Sequence, residues 1–143
     1  YGLSEHDDVE APIDEAAQLH ASARQLAAGI AGLLPRWQAH APLHAKAARR
    51  TCADCTLAAL LAVQRWHRWP TGRARELATQ WLAALGLSGE SGFFAYRTSA
   101  GDEALALAHQ VCCLHFRRRD GSRCSTCPKR PLAERIACLR ADG

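Results

Sequence analysis

The sequence predicts a mainly α fold: a compact helical domain that ends in a small irregular or hairpin, cysteine-rich segment. Three observations carry this. Alanine and leucine dominate a chain that is 48% apolar and 22% charged, a balance that suits a soluble helical protein and argues against disorder. Apolar residues recur at steps of three and four between Leu19 and Leu85, the spacing of an amphipathic helix. Beyond them, cysteines crowd a stretch of arginines and turn formers. At 143 residues the chain suits one domain with a real core and is short for two. The expected organisation is a single domain over 1–143, with an acidic, flexible N-terminus over 1–13, a helical body over 14–110, the cysteine segment over 111–130 and a C-terminal helix over 131–143.

From Asp14 onward, Leu19, Ala23, Leu26, Ile30 and Leu33 form one helical stripe, which Pro35 is expected to stop or bend. A second helix is expected from about Thr51 to Trp69, with Leu57, Leu60, Leu61 and Trp66 available for the core and Pro70 closing it. Thr71 can cap a third helix, whose stripe of Leu77, Trp81 and Leu85 ends at Gly86, a suitable left-handed terminator. Glycine and serine around Phe93, Phe94 and Tyr96 make Ser88 to Gly101 a loop with at most a short strand. Asp102 or Ser99 can cap a further helix through Leu105 and Ala108 towards Val111. Asp120-Gly121 is a strong turn signal, and with Leu114, His115 and Phe116 before it predicts a small hairpin. A last helix, Pro131 to Leu139, is expected to bury Leu132, Ile136 and Leu139.

The longest apolar stretches, around Leu26–Leu34 and Leu57–Val63, fall short of the roughly 20 residues that a membrane helix needs. No secretory signal is visible. The chain starts at Tyr1 and holds no methionine, so a processed form or a piece of a longer chain is expected. The net charge of +4 is unevenly placed, with Glu5, Asp7, Asp8, Glu10, Asp14 and Glu15 at one end and arginines and lysines at the other. This is far from the dense basic stripe of a nucleic-acid binder.

Seven cysteines point either to disulfides in an oxidising compartment or to metal ligation in a reducing one. A core of this size has little need of disulfide staples, and an odd count cannot pair fully, so metal binding in the cytoplasm is favoured. The central pattern is Cys112-Cys113, ten residues, Cys124, two residues, Cys127, then Pro128. A Cys-x-x-Cys loop puts two sulfurs on one side of a tight turn, adjacent cysteines need an irregular backbone to share a cofactor, and the Asp120-Gly121 turn brings the pairs together. Four thiolates complete two tetrahedral irons. A structural Zn(Cys)4 site, or a reduced thiol set without metal, remains open on the residues alone.

At these residues, in VCCLHFRRRDGSRCSTCP, the chain resembles the ferric siderophore reductases, the FhuF-like iron reductases, whose C-terminal segment has a Cys-Cys, a spacer and a Cys-x-x-Cys. The resemblance runs from about Gln110 to Pro128. It implies a [2Fe-2S] cluster on Cys112, Cys113, Cys124 and Cys127, a ferric siderophore as substrate, an electron donor of unknown identity and one-electron reduction of chelated Fe(III) in the cytoplasm. The chain is shorter than a typical member, which leaves substrate identity open. An iron-sulfur sensor, or a zinc-stapled helical interaction module, is the alternative.

Arg117, Arg118, Arg119 and Arg123 lie between the cysteine pairs, with Lys129 and Arg130 just after. They form a cationic rim able to stabilise the reduced cluster or to dock an anionic chelate or acidic donor, against the plainer reading of a solvated basic loop. Cys52 and Cys55 make a second Cys-x-x-Cys at the opening of a helix, where packing is the first reading and a redox or ligand role the second. Cys138 reads as a lone structural thiol. His109 and His115 flank the first pair and are read as hydrogen-bonding or surface groups rather than iron ligands. His67 is expected to pack at a helix end, and the tryptophans in the core. No phosphate loop, nucleophile elbow or paired carboxylates appear.

Overall fold

The computed structural model describes residues 14–42 and 44–142; the acidic start of the chain lies outside them. Helix α1 spans Glu15–Gln38, opened by the Asp14 carboxylate, which accepts from the amides of Ala16 and Ala17 at 3.1 and 3.2 Å. Such a cap satisfies amides that have no partner within the helix. The helix runs through Pro35 to Gln38 and does not stop there. A proline in the last turn forfeits one backbone bond, and the Pro35 carbonyl still accepts from Ala39.

Helix α2 spans Ala45–His67 and begins earlier than the apolar stripe alone indicates. Ala45, Lys46, Ala47, Ala48, Arg49 and Arg50 are strong helix formers, and the His44 ring accepts from the Lys46 amide at 3.3 Å. Its end is Arg68 in the left-handed region, held by the Gln64 side chain donating to the Trp69 carbonyl at 2.7 Å. Helix α3 spans Thr71–Ala84. Pro70, not Thr71, occupies its cap position, and the Thr71 hydroxyl instead donates to Glu103 at 2.6 Å. Gly86, at φ 66°, terminates it as expected, while the Leu87 amide reaches back to Leu82 at 2.7 Å.

The expected helix through Leu105 is a strand. Strand β1, Phe93–Arg97, pairs antiparallel with β2, Glu103–Leu107, placing Phe93 opposite Leu107 and Arg97 opposite Glu103. Glu, Ala and Leu favour helix locally, but tertiary context overrides propensity. Leu105 and Leu107 enter the core with Leu57, Leu60 and Leu61 of α2 and Leu77, Ala78 and Leu82 of α3, and Leu19 of α1 joins them. Ala106 is buried on the other face, opposite Phe94.

Helix α4, Leu132–Asp142, lies against the hairpin. The Arg140 side chain donates to the Arg97 carbonyl at 2.7 Å, Ser99 donates to the Arg140 carbonyl at 3.0 Å, and the Arg135 guanidinium sits over the Phe94 ring. Leu132 is exposed, Ile136 and Leu139 are half-buried, and no α4 residue is fully buried, so polar ties hold this helix more than the expected stripe does. Trp66 and Trp37, expected in the core, are 86% and 67% exposed. Trp69 and Trp81 do pack on the core, and His67 stacks on Trp69 at the end of α2.

Leu57 is fully buried at the junction of α2, α3 and the hairpin. Leu57→Ala is expected to lower stability by about 2–5 kcal/mol through a cavity that the packed core cannot close, read as a drop in the urea midpoint of the helical circular-dichroism signal with unchanged m.

Candidate metal centre

After β2 the chain passes through His109 to Cys112 and Cys113, which lie in irregular backbone. Leu114 is left-handed at φ 58°, and its amide points back to the Cys112 sulfur at 3.4 Å. A single 3-10 turn over His115–Arg117 follows, in place of the expected hairpin. The turn at Asp120-Gly121 is present, closed by the Gly121 amide on the Arg118 carbonyl at 3.0 Å. Gly121 is needed there because a Cβ would stand 2.0 Å from the His115 carbonyl oxygen, inside any tolerable contact.

The second pair sits on a tight turn, with the Cys127 amide bonded to the Cys124 carbonyl at 3.1 Å. Arg130 braces this turn by donating to the Cys124 and Arg123 carbonyls at 3.2 and 2.9 Å. Arg123 leans on the Phe116 ring, 5.6 Å from its centroid, and reaches the Lys129 carbonyl.

The fold brings the two pairs together. The Cys112 and Cys127 sulfurs are 3.8 Å apart, too far for a disulfide and close to the separation of about 3.8 Å that two thiolates have when each lies about 2.3 Å from one tetrahedral metal. Cys127 is buried, while Cys113 and Cys124 are exposed. Burial pushes the Cys124 thiol up, and negative charge on Cys127 and Cys113 adds to that. At Cys127 burial also opposes ionisation, but the Lys129 amide, Cys112, Cys124 and Arg123 outweigh it and hold this thiol below its ordinary value. Each of the four sulfurs therefore feels at least one of the others. Among the described residues no three donors close around a single-ion position; a two-iron cluster asks for two sulfurs at each iron, and Cys112 with Cys127 has the spacing of one such pair.

Residues 110–129 match the family model of the FhuF 2Fe-2S C-terminal domain. This segment is of the FhuF [2Fe-2S] type. Its cofactor is a [2Fe-2S] cluster, and its relation is to siderophore iron reduction. The match covers the cysteine segment and leaves the helical body unmatched. No curated protein and no solved structure was found to match the chain. Among the described residues, no helix is long and apolar enough to cross a membrane.

The arginines of the rim are not equivalent. Arg123 and Arg130 are tied into the turn, Arg118 faces Asp120 at 3.8 Å, and Arg117 and Arg119 are exposed with no partner among the described residues. Cys52 and Cys55 lie inside α2 rather than at its opening. They line an open apolar cavity of about 430 Å³ with Leu26, Ile30, Leu33 and Trp37, to which no residue of the cysteine segment contributes. Burial raises the Cys52 thiol, and Cys55 raises it further. Cys138 is a half-buried free thiol on α4, and His115 is exposed in the 3-10 turn.

Sequence reasoning missed Asp54. This carboxylate of α2 is buried, accepts from the Ser91 hydroxyl and faces the His109 ring at 2.9 Å. Its signal was an acid in register with the apolar positions Leu57 and Leu61 of the same helix.

Gly121→Ala is expected to leave the helical signal unchanged while lowering bound iron per chain, since the clash displaces the backbone that joins the two pairs. Metal analysis of anaerobically purified protein checks this.

Proposed function

We propose that Cys112, Cys113, Cys124 and Cys127 are the ligands of the [2Fe-2S] cluster and that the protein is a ferric-siderophore reductase, delivering one electron to chelated Fe(III) and releasing Fe(II). The observation that supports the reading is the approach of the Cys112 and Cys127 sulfurs to 3.8 Å within the matched segment, with Cys113 and Cys127 both acting on Cys124. When bound, the cluster supplies a one-electron couple. The chain's own residues do the rest. Cys127 forms the sheltered side of the site, and the exposed Cys113 and Cys124 leave the other side open to a partner. Ferric iron holds hard oxygen ligands tightly and ferrous iron more weakly, so reduction loosens the chelate.

Arg117 and Arg119 are the side chains free to meet an anionic ferric chelate or an acidic electron donor; positive charge there raises encounter rates and favours the more negative reduced cluster. The reading places the reaction in the cytoplasm, after uptake of the chelate.

Anaerobic protein is expected to contain iron and acid-labile sulfide in equal amounts and to lose both on serine substitution of any of the four cysteines. Stopped-flow mixing of reduced protein with ferric chelates should reoxidise the cluster faster than a chelate-free control; equal rates, with the cluster intact, overturn the reductase activity. Stoichiometric zinc in place of iron overturns the site as well. Replacing Arg117 and Arg119 together by Glu is expected to keep the iron content and to slow reduction of an anionic chelate by about tenfold at low ionic strength, an effect that shrinks as salt is added.

A further inference from the structure

Asp54 is the one charged side chain buried among the described residues. A carboxylate in a core is unfavourable unless its oxygens are met. Both are: Oδ1 accepts from the Ser91 hydroxyl at 2.5 Å, and Oδ2 stands 2.9 Å from Nδ1 of His109. An ionised carboxylate only accepts, so the ring proton belongs on Nδ1, and the carboxylate fixes both the tautomer and the orientation of the imidazole. Three pieces of chain meet here: α2, the loop before β1 and the irregular segment that follows β2.

His109 precedes Cys112 by three residues, a span of at most about 11 Å. The last ladder-like bond of the hairpin is from the Ala108 amide to the Gly92 carbonyl at 2.8 Å. Among the described residues, no backbone hydrogen bond then ties 109–113 to the rest of the protein. The second cysteine pair, in contrast, is braced by its own turn and by Arg130. Apart from the Cys112–Cys127 sulfur contact inside the site, the polar attachment of this stretch to the helical body is the His109 side chain on Asp54.

The geometry points to Asp54, acting through His109, as the positioning device for the Cys112–Cys113 half of the cluster site. This rests on the assignment of the four ligands above. The pair acts through orientation: Asp54 touches neither sulfur nor substrate, and displacing His109 shifts the approach of both cysteines.

The test compares anaerobic holoprotein of wild type, Asp54→Ala, His109→Ala, His109→Asn and the Asp54→Ala/His109→Ala double variant in a chelator challenge, with the EPR spectrum of each reduced form. Groups that orient ligands typically change metal affinity by 10–100-fold, so each alanine variant is expected to lose its cluster at least about tenfold faster and to show an altered line shape. The double variant should be no worse than either single one, because both remove the same link. His109→Asn, whose amide can donate from the Nδ1 position, should recover most of the wild-type lifetime. Unchanged loss rates, additive effects in the double variant, or His109→Asn no better than His109→Ala each overturn the proposal. If Asp54→Ala does not fold, the two His109 variants decide alone, as that side chain is 28% exposed. A wild type without a cluster defeats the ligand assignment and the positioning role together, whereas a wild type with a cluster and indifferent variants defeats only the latter.

Discussion

The structure turns on bringing a sulfur from one side of an arginine-rich loop against a sulfur from the other. Cys112 and Cys127 are fifteen residues apart in sequence and 3.8 Å apart in space. Burial disfavours a charged thiol in this segment, and negative charge on neighbouring cysteines adds to that, so the Cys124 thiol is held above its ordinary value. The local backbone offsets this at Cys127, where amide and guanidinium groups favour the charged form. A metal centre completes such an arrangement, since it neutralises the sulfurs that the fold has forced together.

The remainder of the chain serves as a frame for that loop. Three helices and β2 build the apolar core, and the hairpin ends where the cysteine segment begins. Helix α4 then returns to the hairpin through Arg140 and Arg135, while the Ser125 hydroxyl donates to Asp142. The loop is therefore fixed at both ends, upstream by Asp54 and His109 and downstream by α4. Its middle, carrying Arg117 and Arg119, faces solvent.

Much of this was legible in the sequence. The three- and four-residue stripes marked α1, α2 and α3, Gly86 marked a helix end, and the cysteine spacing marked the site, because each is a local signal with a fixed period or geometry. What was illegible depended on contacts distant in sequence. Glu103–Leu107 reads as helix by composition and becomes a strand because β1 pairs with it and the core covers Leu105 and Leu107. Trp66 reads as core by residue type, yet its position on α2 faces outward. Asp54 and His109 are 55 residues apart, and nothing local to either indicates the other.

X-ray absorption at the iron edge of anaerobic protein tests the central claim most directly, because it reports the atoms around the metal rather than the consequences of binding it. An all-sulfur shell with a short iron–iron distance is the predicted result. A shell of nitrogen and oxygen, or a single iron without a metal neighbour, would contradict the account.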